Sequence, residues 1–478
     1  MIILYSILLN FCFTQDIYTD YLVVSGDTID IFSYQIPENY NSNNGHPLLV
    51  TFHQWGGNEN SNYSTEFDEE ANNRNWVMLS PYGGSANNYN HQGSQNMVQG
   101  EIEWMMDHFN IDSKRIYMVG GSMGGASGTI YSNNHLNPKE PMVAATASAS
   151  GILDCERRAI EMDGNNSMIE WFGGNWYEVP FEYHRNSAVY FADSTQSMHY
   201  NLQHLPLYLD FGTSEPHRIH AEDLYNLLTH YNENMWIDSE PTGSHGYSVF
   251  DENHVCDWLS QFELVDNPDI INVNLDEPSR AYWIEAYNID TEDEFIRINA
   301  SHNYDFNPED TLGIHTFSIN QHTNSDSLIL HILNSEYYPN TDFSPLIYLT
   351  PIMNLGFSGD IFDGENLINI EIQNPTDCTI DYTINEDIIW IETIDLNNNS
   401  PCTNAGEGLG VFFEFATLPD TYDDINQDGI WDVLDIVLVV GYIMDITILS
   451  EIQQLSADLN EDGNINVLDI VEILNIIF

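Results

Sequence analysis

The sequence predicts a mostly parallel α/β domain, then an all-β sandwich-like module, then a small helical repeat. Between residues 21 and about 264, apolar runs of strand length alternate with helical patterns, the mark of a parallel sheet covered on both faces. After about residue 266 only short strand-like runs remain, divided by Asn, Asp and Pro turns, which is a sandwich pattern. The last 55 residues contain one motif twice.

Taken in order, residues 2–13 (IILYSILLNFCF) form a short apolar run that exits through Thr14 and Gln15. That length suits the apolar centre of a secretory leader and is too short to span a bilayer. A cleaved leader over 1–14 is therefore expected, with a buried N-terminal strand as the alternative. No later stretch approaches eighteen consecutive apolar residues, so the expected product is secreted, with no membrane span.

Strands are expected at 21–24, 29–36, 47–52, 76–80, 115–119, 142–148, 205–211 and 235–239. Val98, Ile102, Met105 and Phe109 recur on one face of an amphipathic helix between the fourth and fifth. Residues 160–200 interrupt the alternation with Trp171, Trp176, Tyr177, Tyr183 and Tyr190. These aromatics suit either a lid over a substrate site or the small core of a long excursion. Further strands are expected at 281–287, 294–300, 313–319, 327–333, 367–372 and 388–394. They make one or two β modules that serve either as spacer or as polymer-binding accessory. The resulting divisions are a leader at 1–14, the α/β domain at 15–265, the β part at 266–420 and the repeat at 421–478.

Ten Lys and Arg face 74 Asp and Glu, a net charge of -64. Nucleic acid and anionic membrane would both be repelled, so neither is a partner. Setting aside Cys12 in the leader, Cys155, Cys256, Cys378 and Cys402 remain, an even number in an exported chain. Two disulfides are expected. Neighbourhood favours Cys155 with Cys256 and Cys378 with Cys402, among three possible pairings.

The chemistry centres on Arg115-Ile-Tyr-Met-Val-Gly-Gly-Ser-Met-Gly-Gly125, an apolar strand running into a glycine-rich turn tipped by Ser122. This reads as the GxSxG nucleophile elbow of an α/β-hydrolase, a strained strand-to-helix turn that exposes the hydroxyl. A serine hydroxyl needs a base, an orienting acid and oxyanion donors before it acts as a nucleophile. In this fold the acid follows the serine and the histidine comes last. Leu207-Tyr-Leu-Asp-Phe-Gly-Thr-Ser-Glu215 is a strand ending in a turn that places Glu215 as the acid, with Asp210 and Asp223 as weaker rivals. Gly243-Ser-His-Gly246 follows the last expected strand and places His245 as the base, with His254 as the alternative. Backbone donors are expected from Met123, next to the nucleophile, and from Trp55 in the third-strand loop Thr51-Phe-His-Gln-Trp-Gly-Gly-Asn58.

FHQWGGN at 52–58, VMLSPYG at 77–83, RIYMVGGSMGG at 115–125, GTSE at 212–215 and GSHG at 243–246 resemble the secreted polyhydroxybutyrate-depolymerase and feruloyl-esterase group of α/β-hydrolases. The resemblance covers about half the chain, with Gln54 in place of the usual glycine and Glu215 in place of the usual aspartate. It implies ester hydrolysis through an acyl-serine intermediate, on polyester, on feruloylated or acetylated polysaccharide, or on smaller esters. A serine peptidase of the same fold, or a binding scaffold with a vestigial hydrolase, are the alternatives.

Asp424-Ile-Asn-Gln-Asp-Gly-Ile-Trp-Asp-Val-Leu-Asp-Ile-Val437 returns 34 residues on as Asp458-Leu-Asn-Glu-Asp-Gly-Asn-Ile-Asn-Val-Leu-Asp-Ile-Val471. Oxygen ligands fall at loop positions 1, 3, 5, 9 and 12 around a glycine at 6, as calcium requires. They are Asp424, Asn426, Asp428, Asp432 and Asp435, then Asp458, Asn460, Asp462, Asn466 and Asp469; Ile430 and Asn464 contribute carbonyls. An apolar helix follows each loop, no EF-hand entering helix precedes either, and Asp replaces Glu at position 12. The pair resembles a type I dockerin module, which implies structural calcium and a cohesin or cell-surface partner. The Val433-Leu434 and Val467-Leu468 pairs are apolar where many dockerins carry hydroxyl residues, so packing on the chain's own β module is the alternative. No cofactor is expected in catalysis.

Overall fold

The computed structural model describes residues 16–162, 167–307 and 312–331, and beyond them the segments 346–349, 354–358, 367–373, 381–385, 388–392, 394–395, 400–401, 407–415, 433–444 and 465–477 with a few single positions between. The expected leader over 1–14, Cys378, Cys402 and most of the expected calcium ligands lie outside the described residues.

The amino-terminal half is built on an eight-stranded sheet: β1 (Ile17–Val24), β2 (Asp27–Gln35), β3 (His46–Phe52), β4 (Val77–Pro81), β5 (Ile111–Gly121), β6 (Ala145–Ala149), β7 (Leu207–Asp210) and β8 (Met235–Ile237). Their order is β1-β2-β4-β3-β5-β6-β7-β8. β2 is antiparallel to β1 and β4, and every other pairing is parallel. Parallel strands covered on both faces carry no polar alternation, which explains the buried run His46–Phe52. Around the sheet pack α1 (Phe67–Asn73), α2 (Gln92–His108), α3 (Met123–Asn134), α4 (Cys155–Glu161), α5 (Met168–Phe172), α6 (Pro180–Arg185), α7 (Arg218–Leu228) and α8 (Glu252–Leu259).

Successive side chains of one strand feed opposite cores. Leu48 and Val50 join Val98, Ile130 and Leu224 of α2, α3 and α7. Leu49 joins Phe67, Val255 and Leu259 of α1 and α8. This division corrects the disulfide expected between Cys155 and Cys256. Both are free, buried thiols, the first in the α2/α3/α7 core and the second in the α1/α8 core. The sheet stands between them. Nearness in sequence order said nothing about the face each helix covers, and burial raises each thiol pKa to about 12.

Beyond the α/β domain run β9 (Ile270–Leu275), β10 (Arg280–Ala281), β11 (Ile284–Ala286), β12 (Ile296–Asn307), β13 (Leu312–Thr323), β14 (Ser327–His331), β15 (Leu346–Leu349), β16 (Asn354–Ser358), β17 (Leu367–Gln373), β18 (Asp381–Asn385), β19 (Ile388–Glu392), β20 (Ile394–Asp395), β21 (Ser400–Pro401) and β22 (Glu407–Phe415). They form two six-stranded sheets, β10-β11-β14-β16-β19-β18 and β17-β22-β15-β13-β12-β9, with β20 and β21 paired apart. Ile271, Ile298 and Phe317 of one sheet share a core with Leu328, Leu355 and Ile391 of the other. The two sheets therefore make one sandwich. β9 was not among the expected strands, although Ile271, Val273 and Leu275 alternate with period two.

That missed strand joins the sandwich to the α/β domain. Asn274 is fully buried and donates from its backbone N–H to Asn201 Oδ1 at 2.8 Å and from Nδ2 to the Ser197 carbonyl at 2.7 Å. The Arg185 guanidinium of α6 pairs with Asp276 at 2.5 Å, and Phe181 packs on Phe295 with ring centres 5.0 Å apart.

At the carboxyl end, α9 (Val433–Ile443) and α10 (Val467–Ile477) pack on one small core containing Ile425, Val439, Leu449, Ala457 and Ile473. Asp435 and Asp469 occupy equivalent places in the first turns of these helices and are fully buried. Among the described residues no helix is long and apolar enough to cross a membrane.

Candidate active site

Ser122 stands between β5 and α3 with φ 56° and ψ -120°, a left-handed conformation that a side chain adopts only when its surroundings enforce it. Here the Ser122 N–H donates to the Ala149 carbonyl at 2.7 Å, and the Ser122 carbonyl accepts from Ala126 at 3.1 Å. The flanking glycines are required by crowding. A Cβ on Gly120 would meet the Gly124 carbonyl oxygen at 2.1 Å, and one on Gly124 would meet the Phe52 carbonyl oxygen at 2.4 Å. Strand, turn and helix are thus pressed together so that the hydroxyl projects from the carboxyl edge of the sheet.

His245 and Glu215 reach that hydroxyl from the loops after β8 and β7. His245 Nε2 lies 2.7 Å from Ser122 Oγ, and His245 Nδ1 lies 2.5 Å from Glu215 Oε2. A carboxylate can only accept, so Nδ1 carries the proton and Nε2 is left to accept from the serine. The glutamate side chain is 4% exposed and the histidine 39%. Burial pushes the Glu215 carboxyl up, yet hydrogen bonds from His245 and Ser150 outweigh it and hold the group below its ordinary range. The Gly212 N–H adds a further donor to Oε1 at 3.3 Å.

The rival residues lie elsewhere. Asp210 closes on its own chain, accepting from the Phe211 N–H at 2.7 Å, and burial raises its pKa to about 7. Asp223 pairs with Arg157 at 2.9 Å. His254 is exposed on α8 and packs against Tyr208 and Trp236.

Two amides were expected to serve as oxyanion donors, those of Met123 and Trp55. Met123 is the first residue of α3, so its N–H has no acceptor within the helix and sits at the positive end of the helix dipole. In the 53–57 loop, Gly56 and Gly57 donate to the Ala86 and Gln54 carbonyls at 2.7 and 2.8 Å, and the Trp55 N–H meets no acceptor among the described residues. The Trp55 indole is 60% exposed, with Nε1 donating to Ser167 Oγ at 3.3 Å. Gln54, at the position the resemblance gives to glycine, lies against Gly246 beside the base, where a Cβ would come within 1.8 Å of Gln54 Oε1. A cleft of about 450 Å³ opens against this loop, lined by Gln54, Trp55, Thr65, Tyr247 and Glu252 among others.

Most aromatics of the 160–200 excursion serve as core. Tyr183 is fully buried, Trp171 stacks on His91 at 4.7 Å and Tyr190 stacks on His184 at 3.8 Å. Tyr177 is exposed. Glu161, His217 and His220 bring three metal-type donors within 4.8 Å of one another, and the His217 ring lies 5.6 Å from that of His245. Arg158 already pairs with the Glu161 carboxylate at 3.2 Å, and the Asp154 N–H points at His220 Nδ1 at 3.3 Å. A neutral His220 accepting there keeps its proton on Nε2, the atom a metal would need.

Residues 422–477 match the family described as Dockerin type I domain. The chain is 31% identical over 138 residues to a bifunctional acetylxylan esterase/xylanase of Neocallimastix patriciarum, a match covering 28% of this chain and 19% of that protein. This chain thus spans about a fifth of the length of that relative. It is similar in structure to FphF, a fluorophosphonate-binding serine hydrolase of Staphylococcus aureus, with 15% identity over 51% of this chain and 98% of the other and a TM-score of 0.38. It is also similar to the feruloyl esterase module from Clostridium thermocellum complexed with sinapinate, with 14% identity over 52% and 88% and a TM-score of 0.36. The chain joins an α/β-hydrolase fold, with serine, histidine and glutamate brought together at its elbow, to a carboxyl-terminal dockerin type I domain.

Proposed function

We propose that the chain is a secreted serine carboxylesterase acting on polymer-borne esters through an acyl-serine intermediate. The observation that carries this is the continuous hydrogen-bonded path from Ser122 Oγ through His245 to Glu215 at a left-handed elbow. His245 Nε2 takes the serine proton as Oγ attacks the ester carbonyl, and Glu215 stabilises the imidazolium that forms. The N–H groups of Met123 and Trp55 hold the oxyanion, a contribution of about 10²–10³ in rate per donor. His245 returns the proton to the departing alcohol, then deprotonates a water that releases the acid.

A net charge of -64 favours a neutral polymer over an anionic one. The acetylxylan esterase activity in the relative's name makes acetylated xylan the first substrate to test, with methyl ferulate and polyhydroxybutyrate film beside it. The proposed organisation is a leader at 1–14, hydrolase at 15–265, sandwich at 266–420 and dockerin at 421–478. Asp424, Asn426, Asp428, Ile430, Asp432 and Asp435, and their counterparts from Asp458 to Asp469, would hold one calcium each. The buried Asp435 and Asp469 fit such a charge. A cohesin is the partner such a module implies outside the cell.

The test is labelling with a fluorophosphonate probe and turnover of p-nitrophenyl acyl esters against peptide anilides. Labelling abolished by Ser122→Ala, with esters preferred, is the expected result. A folded wild type that does not label overturns the enzyme reading, and preference for anilides overturns the ester. Calcium at about 1 mM is expected to raise the melting temperature of the carboxyl-terminal module, and an absent shift contradicts the calcium reading.

A further inference from the structure

Tyr247 follows the base by two residues, in the single helical turn Gly246–Val249. It is buried, and its ring packs edge-on against Phe67 and Phe250, with centres 5.9 and 6.1 Å away. Its hydroxyl reaches the carboxyl end of the sheet and donates to the Phe52 carbonyl at 2.7 Å, with the Val119 carbonyl 3.3 Å from the same oxygen. A phenol has one proton and a carbonyl only accepts, so the nearer Phe52 takes it.

Phe52 is the last residue of β3, and from it the chain departs into the 53–57 loop. A peptide unit is planar, so holding the Phe52 carbonyl also fixes the plane from which that loop starts. One residue earlier, the Thr51 carbonyl accepts from Asn62 Nδ2 at 2.7 Å. Two side chains therefore pin the end of β3. The other flank of Tyr247 rests on Gly121, the residue before the nucleophile, where an added Cβ would meet the Tyr247 backbone nitrogen at 2.6 Å and its ring Cδ2 at 3.0 Å. One side chain thus spans the base loop, the elbow and the root of the 53–57 loop.

We propose that Tyr247 is a positioning residue whose hydroxyl, by holding the Phe52 carbonyl, sets the 53–57 loop against Ser122 and His245 for stabilising the oxyanion. The proposal rests on the catalytic reading of Ser122, His245 and Glu215 and on the Trp55 N–H as a donor. A phenol that only satisfied a buried carbonyl would change stability alone. The two roles part at the transition state.

The experiment compares wild type, Tyr247→Phe and a chain with para-aminophenylalanine at Tyr247, all full length, with melting followed by circular dichroism. Phenylalanine keeps the ring packing and loses the donor, whereas the aniline keeps an N–H at the same place. Each is assayed with p-nitrophenyl acetate and with a trifluoromethyl ketone, whose carbonyl carbon bonds to Ser122 Oγ while its oxygen becomes the oxyanion and the serine proton passes to His245. Tyr247→Phe is expected to lower kcat roughly tenfold with KM unchanged and to weaken the ketone by the same factor. The aniline is expected to restore both to within about threefold of wild type. If Tyr247→Phe does not fold, the aniline chain decides, and a loss there above about tenfold overturns the proposal. It is also overturned if Tyr247→Phe melts lower but keeps the wild-type kcat, if kcat falls while ketone affinity holds, or if the aniline is no better than phenylalanine. Retained turnover in Ser122→Ala would instead overturn the catalytic reading itself, and is measured in the same set.

Discussion

Replacing Gly246 with alanine tests whether His245 is held in place by the 53–57 loop. Gly246 has φ 65°, and its added Cβ would stand 1.8 Å from Gln54 Oε1. Reaching ordinary carbon–oxygen contact requires a relative movement of roughly 1.7 Å, divided between rotation of the Gln54 side chain and a shift of the His245 loop. A displacement of about 1 Å at a catalytic group costs on the order of 10²-fold, or about 2.7 kcal/mol in the barrier. The left-handed backbone adds about 1 kcal/mol against the folded state. Gly246→Ala is therefore expected to lose about 10²-fold in kcat on p-nitrophenyl acetate and to melt lower. Gln54→Gly in the same chain removes the clash but not the backbone strain. The double variant should regain at least about tenfold in kcat while its melting temperature stays depressed. A single variant within threefold of wild type, or a double variant no faster than the single, would refute the reasoning.

Glu215→Gln presents an amide to His245 Nδ1, permits the tautomer protonated on Nε2 and is expected to lower kcat by about 10⁴, measured under saturating ester; a loss below tenfold would contradict the role of the acid. Glu101 of α2 is wholly buried facing Asp30, and burial, then the neighbouring carboxylate, holds its pKa well above the usual range. A carboxyl raised in the folded state loses stability as pH rises from its unfolded pKa through its folded one. Glu101→Gln should therefore melt as wild type does near pH 4 and progressively higher than wild type above it, and parallel melting curves across pH would show the carboxyl to be ionised without cost. Cys155 and Cys256 should resist iodoacetamide in the native protein and both react after unfolding without reductant. A need for reductant would show a disulfide.

Ser122, Glu215 and His245, which the structure brings together, could be named from the sequence because each carries a local signal. Glycines crowd a turn around Ser122, Glu215 ends a strand, and His245 sits in the next loop of a fold with a set chain order. The choice of Glu215 over Asp210 also followed from position, since a residue still in its strand is held by its own neighbours while one past the strand end turns toward the site. Strands such as Leu48–Val50 were legible from continuous apolar composition. β9 was missed because Asn272 and Asn274 interrupt its apolar residues, and Asn274 proved to be a buried contact with the hydrolase instead of a turn signal. The sandwich consequently grips the 180–204 region through Arg185, Phe181, Ser197 and Asn201, which ties the excursion beside the site to a second domain.

By itself the sequence determined the class of the fold, and it pointed to Ser122, Glu215 and His245 in that chain order and to a repeated oxygen-rich motif at the carboxyl end, because backbone propensity, turn chemistry and motif spacing act over a few residues. Only the tertiary structure decided which face of the sheet each cysteine occupies, that Gln54 presses on Gly246, and that Ser150 Oγ accepts from the Gly246 N–H beside His245. Those contacts link positions tens to nearly two hundred residues apart, and they exist only once the strands are ordered in the sheet.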